Sequence, residues 1–208
     1  AIWALYRSAT RHHLQKSAWS DLRPALRCAW DDYASEALPR RKQKPIATPL
    51  LSDSNSSGPL RVMVVTHNLN FEGAPWFIYE LARYLASTTE TSVHIVSPQE
   101  GPLRAVFEQA GLSVQIVNVD PVLVAQNPED FNSALAQATA DLPWSTTDLV
   151  IGNTMVTFWA MHAARHSGKA SLLYIHESSP VRSFFARHLS PEMQTVAEEA
   201  FRLADRVV

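Results

Sequence analysis

Short apolar runs alternate with helical patterns from Arg61 to the end of the chain, and this alternation is the strongest constraint on the fold. The runs are rich in Val and Ile, and most lack the polar alternation of a strand that is buried on one face only. Such runs are typical of strands covered on both faces. They are Val62–Thr66, Val93–Ser97, Val114–Val119, Leu149–Asn153, Leu172–His176 and Val207–Val208.

Helical patterns fill the intervals between these runs. They cover Pro75–Ser87, Pro102–Ala110, Pro128–Ala140, Met155–Ser167 and Glu192–Ala204. The first pattern places one apolar stripe toward the sheet, made of Phe77, Ile78, Leu81, Tyr84 and Leu85. Repeated strand–helix units require parallel strands joined by right-handed crossovers. The sequence therefore predicts an α/β fold, a doubly wound, mostly parallel sheet with helices on both faces.

The chain divides into three zones by composition. Residues 1–45 predict a helical, basic N-terminal extension, with nine Lys and Arg against four acidic residues. Residues 46–60 are rich in Pro and Ser and predict a linker. Residues 61–208 form the predicted sheet domain, in which acidic residues outnumber basic ones. The acidic balance of residues 61–208 argues against nucleic-acid binding by the sheet domain.

The basic extension leaves two interpretations open. Its tryptophans Trp3, Trp19 and Trp30 lie among basic residues, as in a helix at a membrane interface. Alternatively, the extension packs against a domain and its charges form a solvated face. The sequence therefore leaves a peripheral membrane contact open.

The bulk sequence predicts a cytoplasmic protein without disulfides. No apolar run approaches the roughly 20 residues that span a bilayer, and the first residues lack a signal-peptide layout. Cys28 is the only cysteine, which excludes an intramolecular disulfide and a cysteine-based metal cluster. The chain begins with Ala and ends on "AFRLADRVV", which resembles a helix entering a strand. We expect the chain to be part of a longer polypeptide.

Polar residues collect in the loops that follow the predicted strands. In open parallel sheets, ligands bind beyond the carboxyl ends of the strands, near the point where the strand order reverses. This rule selects the loops after the first five runs, which also carry Glu72 and Ser97. The candidate binding residues in these loops are His67, Asn68, Gly73, Ala74, Asn153, Thr154, His176, Glu177 and Ser178.

Gly73 stands between an apolar run and a helix in a chain with only six glycines. A glycine there permits a tight turn and the close approach of another molecule. The first helical N–H groups would then form a nest for a phosphate or a sugar hydroxyl. A simple turn that feeds a helix with Pro75 at its first position explains the residue equally well.

Several common fingerprints are missing from the sequence. The glycines do not form G-x-G-x-x-G or a P-loop, which argues against a dinucleotide oxidoreductase and a P-loop phosphotransferase. The G-x-S-x-G elbow of α/β-hydrolases is also missing. His162 and His166 are one helical turn apart without an apparent third ligand. No metal site is predicted.

The order of four segments resembles the N-terminal Rossmann-like domain of GT-B glycosyltransferases, specifically the retaining group 1 enzymes of family 4. The segments are "RVMVVTHNLNFEGAPWFIYELARYLA", "VHIVSPQEGPLRAVFEQAGLSVQIV", "DLVIGNTMVTFWAMHAARHSGKASLLYIHES" and "AFRLADRVV". The similarity covers residues 61–208, and the first 60 residues match nothing in this family.

The resemblance implies a retaining transferase with two domains. The N-terminal half would hold a glycan or lipid-linked acceptor, and a C-terminal half absent from this chain would bind the nucleotide-sugar donor, which is a co-substrate and not a cofactor. His176 would be the catalytic residue, contacting the transferred sugar. Gly73 and Ala74 would lie at the donor phosphate or the acceptor. The family often has two glycines there, and its E-x7-E motif belongs to the missing half.

Each remaining candidate also has a structural interpretation. Asn153 and Thr154 either bind substrate or cap the following helix. His67 and Asn68 either contact an acceptor or pack within their loop, and Glu177 either orients His176 or is a surface carboxylate. The alternative function is a non-catalytic binding or regulatory domain with a flavodoxin-like sheet.

Overall fold

The computed structural model describes residues 58–88 and 90–208. The predicted helical extension and most of the predicted linker lie outside these residues. The first described strand begins at Leu60, which the sequence placed last in the linker.

Six parallel strands form one sheet, with the order β3-β2-β1-β4-β5-β6. All five pairings between neighbours are parallel. The predicted fold class is therefore confirmed. The strands are β1 Leu60–Val65, β2 Thr91–Ser97, β3 Ser113–Ile116, β4 Leu149–Asn153, β5 Ala170–Tyr174 and β6 Arg206–Val207.

Seven α-helices are described along this sheet. The two shortest, α3 and α6, were missed by the sequence analysis, because four or five residues are too few to show a helical period. The helices are α1 Gly73–Thr88, α2 Leu103–Gln109, α3 Asp120–Leu123, α4 Pro128–Ala138, α5 Phe158–His166, α6 Val181–Phe185 and α7 Pro191–Leu203. A 3₁₀ turn over Met155–Thr157 leads directly into α5.

The core has one apolar cluster on each face of the sheet. On one face, β1 and β2 contribute Val62, Val64 and Ile95, and the helices contribute residues such as Ile78 of α1 and Phe107 of α2. On the other face, residues such as Met63 and Val150 pack against α4, α5 and α7. Helices on both faces explain why the strands are apolar without alternation.

The strand order places the switch point between β1 and β4. The chain runs outward from β1 through β2 to β3, returns to β4 beside β1, and continues outward in the opposite direction. This is the order of the Rossmann fold, whereas flavodoxin-like sheets have the order 2-1-3-4-5. The flavodoxin-like sheet of the alternative hypothesis is therefore wrong.

Two details of α1 and β5 correct the sequence analysis. Helix α1 begins at Gly73, two residues before the predicted start, so that Pro75 is its third residue. Tyr84 is 59% exposed and does not belong to the buried stripe, which instead contains Ile78 and Ala82. Strand β5 ends at Tyr174, so His176 lies in the following loop.

Candidate functional site

Asn153, the last residue of β4, connects three segments at the switch point. Its side chain is fully buried. Its Nδ2 donates to the Ala74 carbonyl oxygen at 3.1 Å and lies 3.4 Å from Thr66 Oγ1. Its Oδ1 lies 2.8 Å from His176 Nε2. The loops after β1, β4 and β5 therefore meet at one amide.

This arrangement fixes the tautomer of neutral His176. A carbonyl oxygen such as that of Ala74 only accepts hydrogen bonds, so the Asn153 amide nitrogen must face it and Oδ1 must face the imidazole. His176 Nε2 then carries the proton that it donates to Oδ1. The lone pair of Nδ1 is left to accept a hydrogen bond or a proton.

Aromatic rings hold the His176 imidazole in place. Its centroid lies 5.2 Å from that of Phe77, in an edge-on arrangement, and 4.9 Å from that of Tyr174. The ring keeps an exposed edge, since the residue as a whole is exposed. Removal of water from its packed side lowers the pKa of His176, and nearby His67 adds a smaller effect in the same direction. His176 is therefore biased toward the neutral base.

Glu177 caps the turn that follows Asn153. Its carboxylate accepts hydrogen bonds from the Met155 amide, at 3.1 and 3.2 Å, and from the His176 amide at 3.1 Å. This carboxylate satisfies donors at the start of the 3₁₀ turn. Capping by Asn153 or Thr154 therefore does not occur. Glu177 holds the His176 backbone, whereas its neighbour Ser178 is exposed.

Thr154 has a strained backbone at this turn. Its φ is 80° and its ψ is 160°, a combination that is almost confined to glycine. The side chain is 3% exposed, and Oγ1 has no hydrogen-bond partner among the described residues. Strain of this kind clusters at functional sites.

The loop between β1 and α1 is organised by Glu72, to which the sequence analysis gave no role. Its carboxylate accepts a hydrogen bond from Asn68 Nδ2 at 3.2 Å and lies 3.5 Å from His67 Nε2. Asn68 Oδ1 in turn accepts from the Asn70 amide at 3.0 Å. Asn68 thus serves loop packing. His67 Nδ1 is buried and has no hydrogen-bond partner in the described chain.

Gly73 and Ala74 are the first two residues of α1. Gly73 does not have a positive φ, so the turn does not require a glycine for its backbone conformation. The first-turn amides of a helix have no partner within the helix, and Pro75 supplies no N–H at all. The Gly73 and Ala74 amides therefore remain as donors beside the site.

Arg182 and His162 lie outside this site. Arg182 forms an ion pair with Glu198, with an N–O distance of 2.8 Å. His162 is buried, and its Nε2 donates to the Val196 carbonyl oxygen at 2.9 Å. Among residues 58–88 and 90–208, no group of side chains is suited to hold a metal ion. None of the described helices combines the length and hydropathy needed to cross a membrane.

Comparison with solved structures finds the same fold in other proteins. Anabaena HepE in complex with UDP and glucose is 15% identical over 71% of this chain, with a TM-score of 0.52. The HepE complex with UDP alone has a TM-score of 0.51 at 14% identity. MurG of Acinetobacter baumannii is 14% identical over 72% of the chain, with a TM-score of 0.50. At these identities the likeness establishes the fold.

The matched region is only a part of each of these proteins. The chain covers 37% of the two HepE structures and 40% of MurG. By sequence, the chain matches no protein-family profile and no curated protein. These comparisons and the coordinates thus agree on a Rossmann-like α/β fold.

Proposed function

We propose that this chain is the acceptor-side domain of a retaining GT-B glycosyltransferase of family 4. The full-length enzyme would transfer a sugar from a nucleotide-sugar donor to a glycan or lipid-linked acceptor. The observation that carries the proposal is the Asn153 amide, which joins the first turn of α1 to the His176 imidazole. The first turn of α1 and His176, which the resemblance assigns to the reaction centre, therefore lie next to each other.

Comparison with nucleotide complexes supports the donor class. HepE, which shares this fold, has been solved with UDP and with UDP and glucose. Rossmann-like sheets bind ligands at the switch point of the strand order, which in this chain lies between β1 and β4. A nucleotide sugar is therefore the co-substrate that we propose, bound mainly by a second domain.

The site chemistry suits positioning and hydrogen bonding. His176 donates from Nε2 to Asn153 and is left with Nδ1 as an acceptor for a sugar hydroxyl. The Gly73 and Ala74 amides lie at the positive end of the α1 dipole and would stabilise charge that develops near the transferred sugar. The leaving phosphate of the donor would assist deprotonation of the acceptor on the same face of the sugar.

We propose that the acceptor, and not the donor phosphate, lies beside α1, and the charge at the site supports this arrangement. The candidate site contains two carboxylates, those of Glu72 and Glu177. Hydrogen bonds from Asn68, together with weaker contributions from His67 and Asn70, lower the pKa of Glu72. An ionised carboxylate disfavours a nearby phosphate. A second domain would therefore supply the groups that bind the nucleotide.

The proposal is tested by sugar transfer with the full-length protein and a panel of UDP-, GDP- and ADP-sugars. His176→Ala is expected to lower kcat by about 100-fold, the lower range for loss of a positioned general acid–base or hydrogen-bonding group. His188→Ala is the matched control, because His188 is an exposed histidine in a loop outside the site. Transfer by His176→Ala at the wild-type rate would refute the role of His176. No transfer with any donor would refute the transferase assignment.

A further inference from the structure

Two large aromatic side chains are exposed next to the candidate site. Phe71 is 63% exposed and Trp76 is 42% exposed. Their ring centroids lie 6.1 Å apart, with an angle of 51° between the ring planes. We call this pair the Phe71–Trp76 platform. Adjacent exposed aromatic rings at the rim of a site indicate a binding surface, whereas isolated exposed apolar residues need no explanation.

The platform is held in place by buried residues. The Trp76 ring lies 5.2 Å from that of Tyr79, measured between centroids. Tyr79 in turn meets the fully buried Phe107 ring edge-on at 5.4 Å. A ring fixed by such contacts loses little conformational entropy when a ligand stacks on it. The exposed face of Trp76 is therefore preorganised for binding.

Polar groups with free acceptor and donor capacity lie beside the platform. Glu72 is adjacent to Phe71 in the chain, and its side chain is 52% exposed. The Asn70 side chain approaches the same carboxylate at 3.4 Å. A carboxylate accepts up to about four hydrogen bonds, and an amide both donates and accepts. Flat aromatic faces next to such groups match a sugar ring, which has apolar C–H faces and a rim of hydroxyls.

We propose that the Phe71–Trp76 platform stacks against a neutral pyranose ring of the acceptor. This inference rests on the proposed function and narrows its acceptor from a glycan or lipid-linked molecule to one with an uncharged sugar at this position. The ring's C–H face would cover Trp76, and its hydroxyls would donate to the Glu72 carboxylate.

Charge distinguishes this ligand from an anionic membrane surface or a phosphate. Glu72 is ionised at neutral pH, as carboxylates ordinarily are, and the hydrogen bond from Asn68 lowers its pKa further. On the other side of Trp76, Glu80 is already paired with Arg83 at 2.7 Å. The net charge beside the platform is therefore negative, which repels anionic headgroups and favours neutral hydroxyl donors.

The platform is continuous with the candidate reaction centre. Phe71 and Trp76 flank the turn that contains Gly73 and Ala74, and the Ala74 carbonyl accepts the Asn153 hydrogen bond. Glu72 contacts His67, whose charge influences the titration of His176. A sugar stacked on Trp76 would thus lie on the rim of the same crevice.

Saturation-transfer NMR with the 208-residue chain tests the platform without any donor. The probes are cellotriose, maltotriose and chitotriose at millimolar concentration, where weak sugar sites are occupied. We expect transfer to at least one probe, and affinity about tenfold weaker in Phe71→Ala and in Trp76→Ala, as for the loss of a stacking ring. Tyr84→Ala is the matched control, because Tyr84 is an equally exposed aromatic residue two turns further along α1.

Each outcome decides the inference. Circular dichroism and thermal unfolding first establish that the variants are folded. No transfer to any of the three probes, or equal affinity in wild type and Trp76→Ala, would overturn it. Binding of the chain to phosphatidylglycerol vesicles that depends on Trp76, without sugar binding, would overturn it in favour of a membrane contact.

The outcome is separable from that of the proposed function. If the full-length protein transfers sugar but Trp76→Ala leaves the acceptor KM unchanged, the platform is wrong and the transferase assignment stands. If the platform binds oligosaccharides but the full-length protein uses no nucleotide sugar, the platform stands as a sugar site and the transferase assignment is wrong. A higher acceptor KM in Trp76→Ala, with kcat unchanged, supports the platform.

Discussion

The Asn153 side chain and the His176 imidazole form a 2.8 Å hydrogen bond at the switch point of the sheet. The same amide donates to the Ala74 carbonyl at the start of α1. Because Asn153 is fully buried, its amide depends on these two partners to satisfy its polar atoms. The site is therefore a connected unit of three loops, and its parts respond together to substitution.

Asn153→Ala is expected to destabilise the domain by about 1–3 kcal/mol, because it removes a buried amide together with its hydrogen bonds to Ala74 and His176. The free energy of unfolding in urea measures this loss. Asn132→Ala on the exposed surface of α4 is the control and should change stability by less than about 0.5 kcal/mol. Equal stability of the two variants would contradict the proposed connection.

Asn153→Asp should raise the pKa of His176. A carboxylate beside Nε2 favours the charged imidazolium, whereas the wild-type amide does not. Two-dimensional NMR of the imidazole C–H signals across a pH series measures the pKa in both proteins. An unchanged or lower value in Asn153→Asp would show that the two side chains are not in contact in solution.

Protonation of His162 and His176 should make the domain less stable as the pH falls from 7.5 to 5.5. Burial lowers the pKa of His162, as it does for His176, although the Val196 carbonyl and Glu199 partly oppose this for His162. The unfolded chain then takes up protons near pH 6.5 before the folded chain does. Stability is retained above this pH and lost as the pH falls toward the lowered pKa.

His162→Gln separates the contribution of this residue. The variant should show a smaller fall in unfolding free energy over the same pH range, even if its stability at pH 7.5 is lower. His188→Gln, at an exposed position, serves as the control and should keep the wild-type pH dependence. If the unfolding free energy of His162→Gln has the same pH dependence as that of the wild type, His162 does not contribute to the loss of stability.

Gly101→Ala should displace the loop that carries His67 and Asn68. A Cβ at position 101 would overlap the carbonyl oxygen of Leu69, which also accepts a hydrogen bond from the Leu103 amide at 2.8 Å. Because backbone atoms move less readily than the end of a side chain, we expect the free energy of unfolding to fall by about 1–3 kcal/mol. Amide chemical shifts of residues 67–72 would report the displacement.

Gly58→Ala is the matched control for Gly101→Ala. A Cβ at Gly58 meets nothing within 4 Å, and its backbone conformation suits any residue. Its stability should therefore stay at or slightly above that of the wild type. A Gly101→Ala variant that is as stable as Gly58→Ala would disprove the predicted overlap.

Thr154→Gly should be more stable than Thr154→Ala by about 1 kcal/mol or more, because only glycine adopts φ near 80° with ψ near 160° without strain. Both variants remove the same buried, unpartnered hydroxyl, so their difference isolates the backbone. Thermal and urea unfolding of the pair provide the measurement. If the alanine variant is the more stable one, the strained conformation is not populated in solution.

The fold was predictable because its signals are local. Buried strands such as β1 and β4 are continuous apolar runs, and α1 shows the period of a helix that lies on a sheet. The errors fall where the local signal is weak. Gly73 and Ala74 join α1 although a helix start at Pro75 fits the pattern, and Tyr84 is exposed although its spacing suggests burial.

The site was predictable only as a set of loops. The rule that ligands bind at the carboxyl ends of parallel strands selected His67, Asn153 and His176 together. It did not reveal their roles. Glu177 caps the 3₁₀ turn at Met155, and Phe77 packs against His176, because the fold joins segments that are distant in the sequence. Asn68 and Glu72 contact each other within one loop, and the sequence showed no pattern for that contact.

The sequence by itself determined the elements of this protein, since hydrophobic periodicity and β-branched runs act over a few residues. It determined the parallel α/β class because alternating strands and helices allow few arrangements. Only the tertiary structure decided that β1 lies beside β4, and hence that Asn153 meets Ala74, 79 residues away, and His176, 23 residues away. The physical reason is that the order of strands follows from the packing of the whole sheet, and no local pattern records it.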